Sequence, residues 1–280
     1  MNNQTLIKKC MVLTVALFAN SIISGGAIRN DVDDDKHLNL GSQLQYNSVA
    51  LFLDNGKAEA NGVLIDKQWI LTAGHEYKAM SSIDSAAILL DGEYFEIEKV
   101  VLHPEYLPTG LGHGVDLALM KLKKIVESVQ PATLYIGVDE LNQIGTTVGY
   151  GVFGTSSSAI TRPEPAGTKR AGNNAIDQIG GIINGRQFQN NLLISDFDSP
   201  VNPSLNTIGS PNPLPLEYLP LGGDSGGLFI DVNNEVFLAR IFSALTPKIN
   251  DNIKDGLYGS LAYWIRLSDY NEWITTTINS

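Results

Sequence analysis

Cysteine is almost missing from this 280-residue chain, whose single copy is Cys10, close to the N-terminus. One thiol cannot close an intramolecular disulfide. If Cys10 leaves with a leader, thiol catalysis and thiolate-metal sites are excluded as well. Basic charge is scarce too: 19 Lys and Arg stand against 30 Asp and Glu, for a net charge of −11. Phosphate binding needs a basic surface, so nucleic acid is excluded as a partner. The apolar run from Met11 to about Phe18 is short of the ~20 residues that span a bilayer. Long amphipathic helical periodicity is absent from the N-terminal half, and no internal repeat recurs at a fixed period.

What is present begins with a leader-like segment. Lys8 and Lys9 precede the apolar run, and Ser24, Gly25, Gly26 and Ala27 follow it. That order reads as a secretion signal over residues 1–27, against a buried first helix or an uncleaved anchor. The expected location is secreted and extracellular, with the periplasm as alternative, and with no membrane attachment after cleavage. A secreted chain without disulfides must rely on its core, which suits a bacterial source. Apolar residues make up 43% of the chain, enough for a globular core.

Short strands with regular turn signals follow. Ser48 to Asp54 runs into Asn55-Gly56, a hairpin signal. Gly62 to Ile70 reads as two strands around Asp66-Lys67. Ala86 to Leu90 and Tyr94 to Leu102 are split by Asp91-Gly92, and Leu117 to Leu122 is another strand. Gly145 to Gly151 opens a second set, which continues with Leu228 to Asp231 and Val236 to Ala244. Residues 154–186 read as a long loop region with a strand or two, and the six prolines from Pro200 to Pro220 mark a surface loop. Ser268 to Ile278 reads as a C-terminal helix, with Ser268 as N-cap and Trp273, Ile274 and Ile278 on one face.

Three segments carry chemistry. In Gly222-Gly223-Asp224-Ser225-Gly226-Gly227, glycines flank a hydroxyl and let the backbone come close to a substrate carbonyl. In Trp69-Ile70-Leu71-Thr72-Ala73-Gly74-His75, an apolar strand runs into a small-residue turn and delivers an imidazole. In Val115-Asp116-Leu117-Ala118-Leu119, an acid heads an apolar strand, where a buried carboxylate can fix an imidazole tautomer. Each alone is compatible with an ordinary turn, histidine or strand start. Together, in the order His, Asp, Ser, they are not.

In that order the three segments resemble the chymotrypsin/trypsin family of serine proteases. The flanks agree. Asn61 to Ile65 resembles the strand before the family's histidine, and Val100 to Tyr106 its hydrophobic-His-Pro segment. Gly149-Tyr150-Gly151 resembles its Gly-Trp-Gly turn, and Ile241-Phe242-Ser243 its cleft strand. The resemblance implies an all-β fold of two six-stranded antiparallel β-barrels with a C-terminal helix. It divides the chain into barrels over 28–135 and 136–266 and a helix over 267–280. It implies a secreted serine endopeptidase acting on protein or peptide substrates as a monomer, without metal or cofactor. Ser225 would be the nucleophile, His75 the general base, and Asp116 its orienting acid. The backbone N–H groups of Gly223 and Ser225 would form the oxyanion hole. Ser243 would bind substrate beside Asp116, and His103 would be structural. The resemblance also implies an activating ion pair between Asp224 and a new α-ammonium, for which Ile28 is the candidate.

Some residues depart from the family pattern. Where the family carries Ala-Ala-His-Cys, this chain has Ala73-Gly74-His75-Glu76. The pocket position six before the serine is Leu219, and Leu245 stands where a glycine commonly keeps the pocket wall open. Cleavage after small or medium apolar residues is expected, and cleavage after Arg or Lys is not. The alternatives are a pseudoprotease that binds without turnover, and an esterase.

Overall fold

The computed structural model describes residues 26–106, 115–156, 160–164, 166–246 and 256–280. Residues 1–25 of the expected signal segment 1–27, with Cys10, lie outside the described residues, as does His113, while Ala27 is buried in the first strand of the fold.

After β1 (Ala27–Arg29) and α1 (Asp34–Gly41) come six strands: β2 (Val49–Asp54), β3 (Lys57–Asp66), β4 (Trp69–Thr72), β5 (Ala86–Leu90), β6 (Glu93–Leu102) and β7 (Ala118–Leu122). The short α2 (Gly74–Ala79) sits between β4 and β5. The six close a barrel in the order β2-β3-β4-β7-β6-β5. The turns that close its hairpins are legible residue by residue. Asn55-Gly56 and Asp91-Gly92 all take positive φ, between 50° and 76°, as a tight two-residue connection requires.

Adjacent residues of one strand face opposite sides, and here both sides are buried. Leu64, Ile70 and Met120 fill the barrel interior with Phe52, Ile88 and Phe95. Their neighbours Val63, Leu71 and Leu119 point outward into a second cluster with Phe229, Leu238 and Ile241 from the C-terminal half. That shared cluster packs the two halves against each other.

The second half carries β8 (Ile144–Gly149), β9 (Phe153–Ser156), β10 (Ile160–Glu164), β11 (Arg170–Ala175), β12 (Gln178–Ile183), β13 (Arg186–Asp196), β14 (Tyr218–Leu219), β15 (Gly227–Val232), β16 (Glu235–Thr246) and β17 (Leu261–Arg266). It differs in detail from a second six-stranded barrel. Seven strands pair in the order β11-β8-β15-β16-β17-β13-β12, while β14 joins β1, β9 and β10 in a four-stranded sheet. The bridge Asn173↔Glu217 links the two. The segment 154–186 therefore holds most of four strands rather than one or two. Its Gly, Asn and Ser content reads as loop in isolation, but long-range pairing overrides that local preference.

The C-terminal helix α3 (Asn271–Ile278) begins after a 3-10 turn over Leu267–Tyr270. Tyr270, not Ser268, is its N-cap, with no side-chain capping bond. Ile274 is buried, and Trp273 and Ile278 pack on the same cluster. The helix covers His103, whose ring meets Trp273 and Tyr270 edge-on and accepts the Glu105 N–H at 3.1 Å.

Candidate active site

β4 pairs with β7, so the end of one strand meets the start of the other, with Thr72 opposite Ala118. His75 is the second residue of α2 and Asp116 lies two residues ahead of β7. The pairing therefore brings an imidazole to a carboxylate across 41 residues of sequence. The contact is double. Asp116 Oδ1 accepts the His75 backbone N–H at 2.8 Å and Oδ2 meets the His75 Nδ1 at 2.7 Å. Ser243 from β16 donates its hydroxyl to the same Oδ2 at 2.6 Å. Gly74 makes the approach possible, since a Cβ there would lie 2.7 Å from the Tyr106 ring.

Ser225 sits on a tight turn between β14 and β15. Asp224 N–H donates to Leu221 C=O at 3.0 Å and Gly226 N–H to Asp224 C=O at 2.6 Å. Gly223 has φ +85°, and a Cβ on Gly226 would stand 2.8 Å from the Val148 carbonyl oxygen. Glycine is needed at both positions, the first for its dihedral and the second for space. The turn delivers Ser225 Oγ to 3.2 Å from His75 Nε2. The ordered contact Asp116–His75–Ser225 is the arrangement that lets a serine pass its proton to an imidazole of fixed tautomer.

The charges follow from these contacts. Burial would raise the Asp116 carboxyl, but the His75 bond and charge and the Ser243 hydroxyl hold it below the usual carboxylate range. Burial would lower His75, yet its bonds to Asp116 and Glu76 outweigh that and push it up to about 10. The ring side chain keeps 40% of its surface exposed, so solvent screens part of this effect.

Glu76 is the residue whose position the sequence did not disclose. It occupies the place of the family's cysteine, and its buried carboxylate turns into the site. Glu76 Oε1 accepts the Ser225 hydroxyl at 2.5 Å and stands 3.0 Å from His75 Nε2.

Asp224 is fully buried behind the serine turn. Its Oδ1 accepts the Gly151 N–H at 2.9 Å, and its Oδ2 accepts the Tyr218 hydroxyl at 2.8 Å and the Leu221 N–H at 3.4 Å. Desolvation raises it to about 6 against these bonds. The Gly149-Tyr150-Gly151 turn exists to reach it, since a Cβ at either glycine would lie within 2.5 Å of Asp224 Oδ1. Ile28 lies in β1 with its backbone paired to Tyr218. The two expected members of the ion pair are thus joined through Tyr218, in a chain that runs unbroken from Gly26 through Ile28.

Leu219 is fully buried among Ala27, Leu221, Leu228 and Trp264, and Leu245 packs against the same apolar cluster. No group of three or more metal-ligating side chains gathers among the described residues. No helix among them is long and apolar enough to cross a membrane.

The model of the trypsin family matches residues 41–165 of the chain, a stretch that includes His75 and Asp116 and stops short of Ser225. Over that stretch the chain is similar to the trypsin family. Human serine protease 1 is 30% identical over 109 residues, covering 36% of this chain and 44% of the human protein. Bovine chymotrypsin-like elastase family member 1 is 24% identical over 151 residues, covering 48% of this chain and 54% of its own length. The chain spans about half the length of the curated relatives it matches. A closed six-stranded barrel, a second antiparallel sheet and a C-terminal helix agree with the trypsin-like fold expected from the sequence.

Proposed function

We propose that this chain is a secreted serine endopeptidase. The observation that carries the reading is the relay from Asp116 through His75 to Ser225, with 2.7 Å on one side of the ring and 3.2 Å on the other. In acylation, Ser225 Oγ bonds to the scissile carbonyl carbon while its proton passes to His75 Nε2. That proton then goes to the leaving amine as the C–N bond breaks. Water repeats the sequence to free the acid. The N–H groups of Gly223 and Ser225 are the proposed donors to the oxyanion, a role favoured by the glycine-dependent turn that holds them. Ser243 is the proposed substrate-pairing residue beside Asp116. Leu219 and Leu245 are the proposed specificity positions, and because neither is a carboxylate the favoured residue before the cut is small or medium and apolar.

A serine-directed phosphonate and a panel of chromogenic peptides test the reading together. Ser225→Ala should abolish labelling, and both Ser225→Ala and His75→Ala should lose at least ~10³-fold in turnover, because the members act as a unit. The panel should be cleaved best after apolar residues. Wild-type turnover in either variant would overturn the assignment, and a clear preference for Arg would overturn the pocket.

Secretion is proposed from the leader-like segment. A cut after Ala27 would give Ile28 a free ammonium in the strand whose backbone pairs with Tyr218, the residue that donates its hydroxyl to Asp224. N-terminal sequencing of the active secreted protein should read Ile28 first, and a start several residues away with full activity would refute this activation route.

A further inference from the structure

Around the serine, three atoms form a nearly regular triangle: Ser225 Oγ, His75 Nε2 and Glu76 Oε1, with sides of 3.2, 3.0 and 2.5 Å. The shortest side joins the serine to the glutamate, not to the histidine. A hydroxyl has one proton to donate, and here it is donated to Glu76. With Asp116 on Nδ1 and Glu76 on Nε2, both ring nitrogens of His75 face carboxylate oxygens. A ring so flanked is satisfied only as the doubly protonated cation, which has no lone pair to receive the serine proton.

The position of Glu76 Oε1 matters as much as its charge. A leaving nitrogen must come within hydrogen-bond reach of Nε2 while attached through one carbon to Oγ. The glutamate oxygen fills that corner at rest. Resting on the peptidase reading above, we propose that Glu76 is a further member of the catalytic site, whose carboxylate withholds the Ser225 hydroxyl from His75, occupies the leaving-group corner and confines acyl transfer to alkaline pH.

The surroundings reinforce this. Asp116 faces the ring from the segment before β7, with Ser243 of β16 bonded to its Oδ2, and Ser225 faces the ring from the β14–β15 turn. Glu59 of β3 feels the Glu76 charge, and burial, Asp54 and then Glu76 all raise its carboxyl. Tyr106, after β6, is raised by burial and by Asp116. Among the described residues, the ion-pair partner of Glu76 is His75 alone. Among those residues nothing cationic draws the carboxylate away from the site, and the direction in which His75 is shifted agrees with the geometry.

The experiment is the pH profile of kcat/KM for the wild-type chain, Glu76→Gln and Glu76→Ala. The wild-type rate should rise with an acid-limb midpoint well above the ordinary histidine value of ~6.5. Both variants should lower that midpoint by at least about one pH unit, with about a tenfold or greater gain near neutral pH. An NMR titration of His75 in Ser225→Ala, with and without Glu76→Gln, reads the same change without turnover, and the charged glutamate should give the higher midpoint. A limb and an imidazole midpoint that both move by less than ~0.3 unit would overturn the role of Glu76 while Ser225-dependent hydrolysis still upheld the peptidase. No hydrolysis and no phosphonate labelling, in wild type and Glu76→Gln alike, would overturn the peptidase reading and the role of Glu76 with it.

Discussion

Removing one hydroxyl, by Tyr218→Phe, should cost stability in a pH-dependent way. The ring stays, so packing against Gly26 and Gly172 is kept. What goes is the 2.8 Å donor to the buried Asp224 carboxylate. In the uncleaved chain no cation pairs with Asp224 among the described residues, so above its raised value of about 6 the ionised group depends on neutral donors. A hydrogen bond to a charged group contributes ~1.5–3 kcal/mol, and one between neutral groups ~0.5–1.5 kcal/mol. Because the folded-state value lies above the unfolded one, the contribution of Asp224 is fully present below the unfolded 3.8 and is lost as pH rises through about 6. Loss of the hydroxyl raises the folded value further and steepens that fall. The variant should therefore be less stable than wild type by ~1 kcal/mol at pH ~5 and by ~1.5–3 kcal/mol at pH ~8. At ~2–4 °C per kcal/mol for a chain of this size, the deficit in Tm at pH ~8 is ~3–12 °C. Thermal melts at the two pH values measure it. An equal Tm loss at both, or none at either, would show that the hydroxyl does not hold an ionised Asp224.

The remaining stability prediction concerns acids behind β14. Burial, with Asp198 and Asp196 nearby, pushes Glu217 up to about 9, against its bonds from the Leu214 and Asp198 N–H groups. Its contribution is fully present below the ordinary 4.5 and is lost as pH climbs through about 9. Glu217→Gln should thus gain on wild type between pH ~7 and ~9.5 in chemical denaturation, and a constant difference across that range would contradict it.

The first barrel was legible because its signals are local. Asn55-Gly56 and Asp91-Gly92 demand left-handed turns, and the apolar runs between them are too short to be helices. The three site segments were legible for the same reason, each being a strand end joined to a turn. The harder features depend on distant residues. Residues 170–196 form long strands only because β8 and β17 supply partners. Asp34, in the acidic stretch Asp31–Asp35, binds Arg170 through two bonds of 2.8 Å, 136 residues away. Glu76 was visible only as a substitution beside a histidine. Its inward direction follows from the start of a six-residue helix, which no pattern in the sequence reveals.

A trypsin-like site usually has a disulfide behind its histidine, and this chain must hold the same loop without one. Here the anchoring is done by hydrogen bonds to carboxylates. Asp116 grips both the backbone and the ring of His75, which fixes the loop and the tautomer in one contact. Asp224 gathers N–H groups from Gly151 and Leu221 and the Tyr218 hydroxyl, and so ties the serine turn to β14 and to the turn after β8. Carboxylates can do this because each oxygen accepts more than one bond. The cost is that buried acids repel one another and must find donors, so the anchoring weakens or strengthens with pH where a disulfide would not. Glu76 carries that logic into the proposed reacting triangle: an acid stands where the family has a cysteine, and it becomes a proton acceptor beside the proposed nucleophile. The pH response of the fold and the pH response of the proposed chemistry then share one origin, the use of buried acids to hold the turns that carry His75 and Ser225.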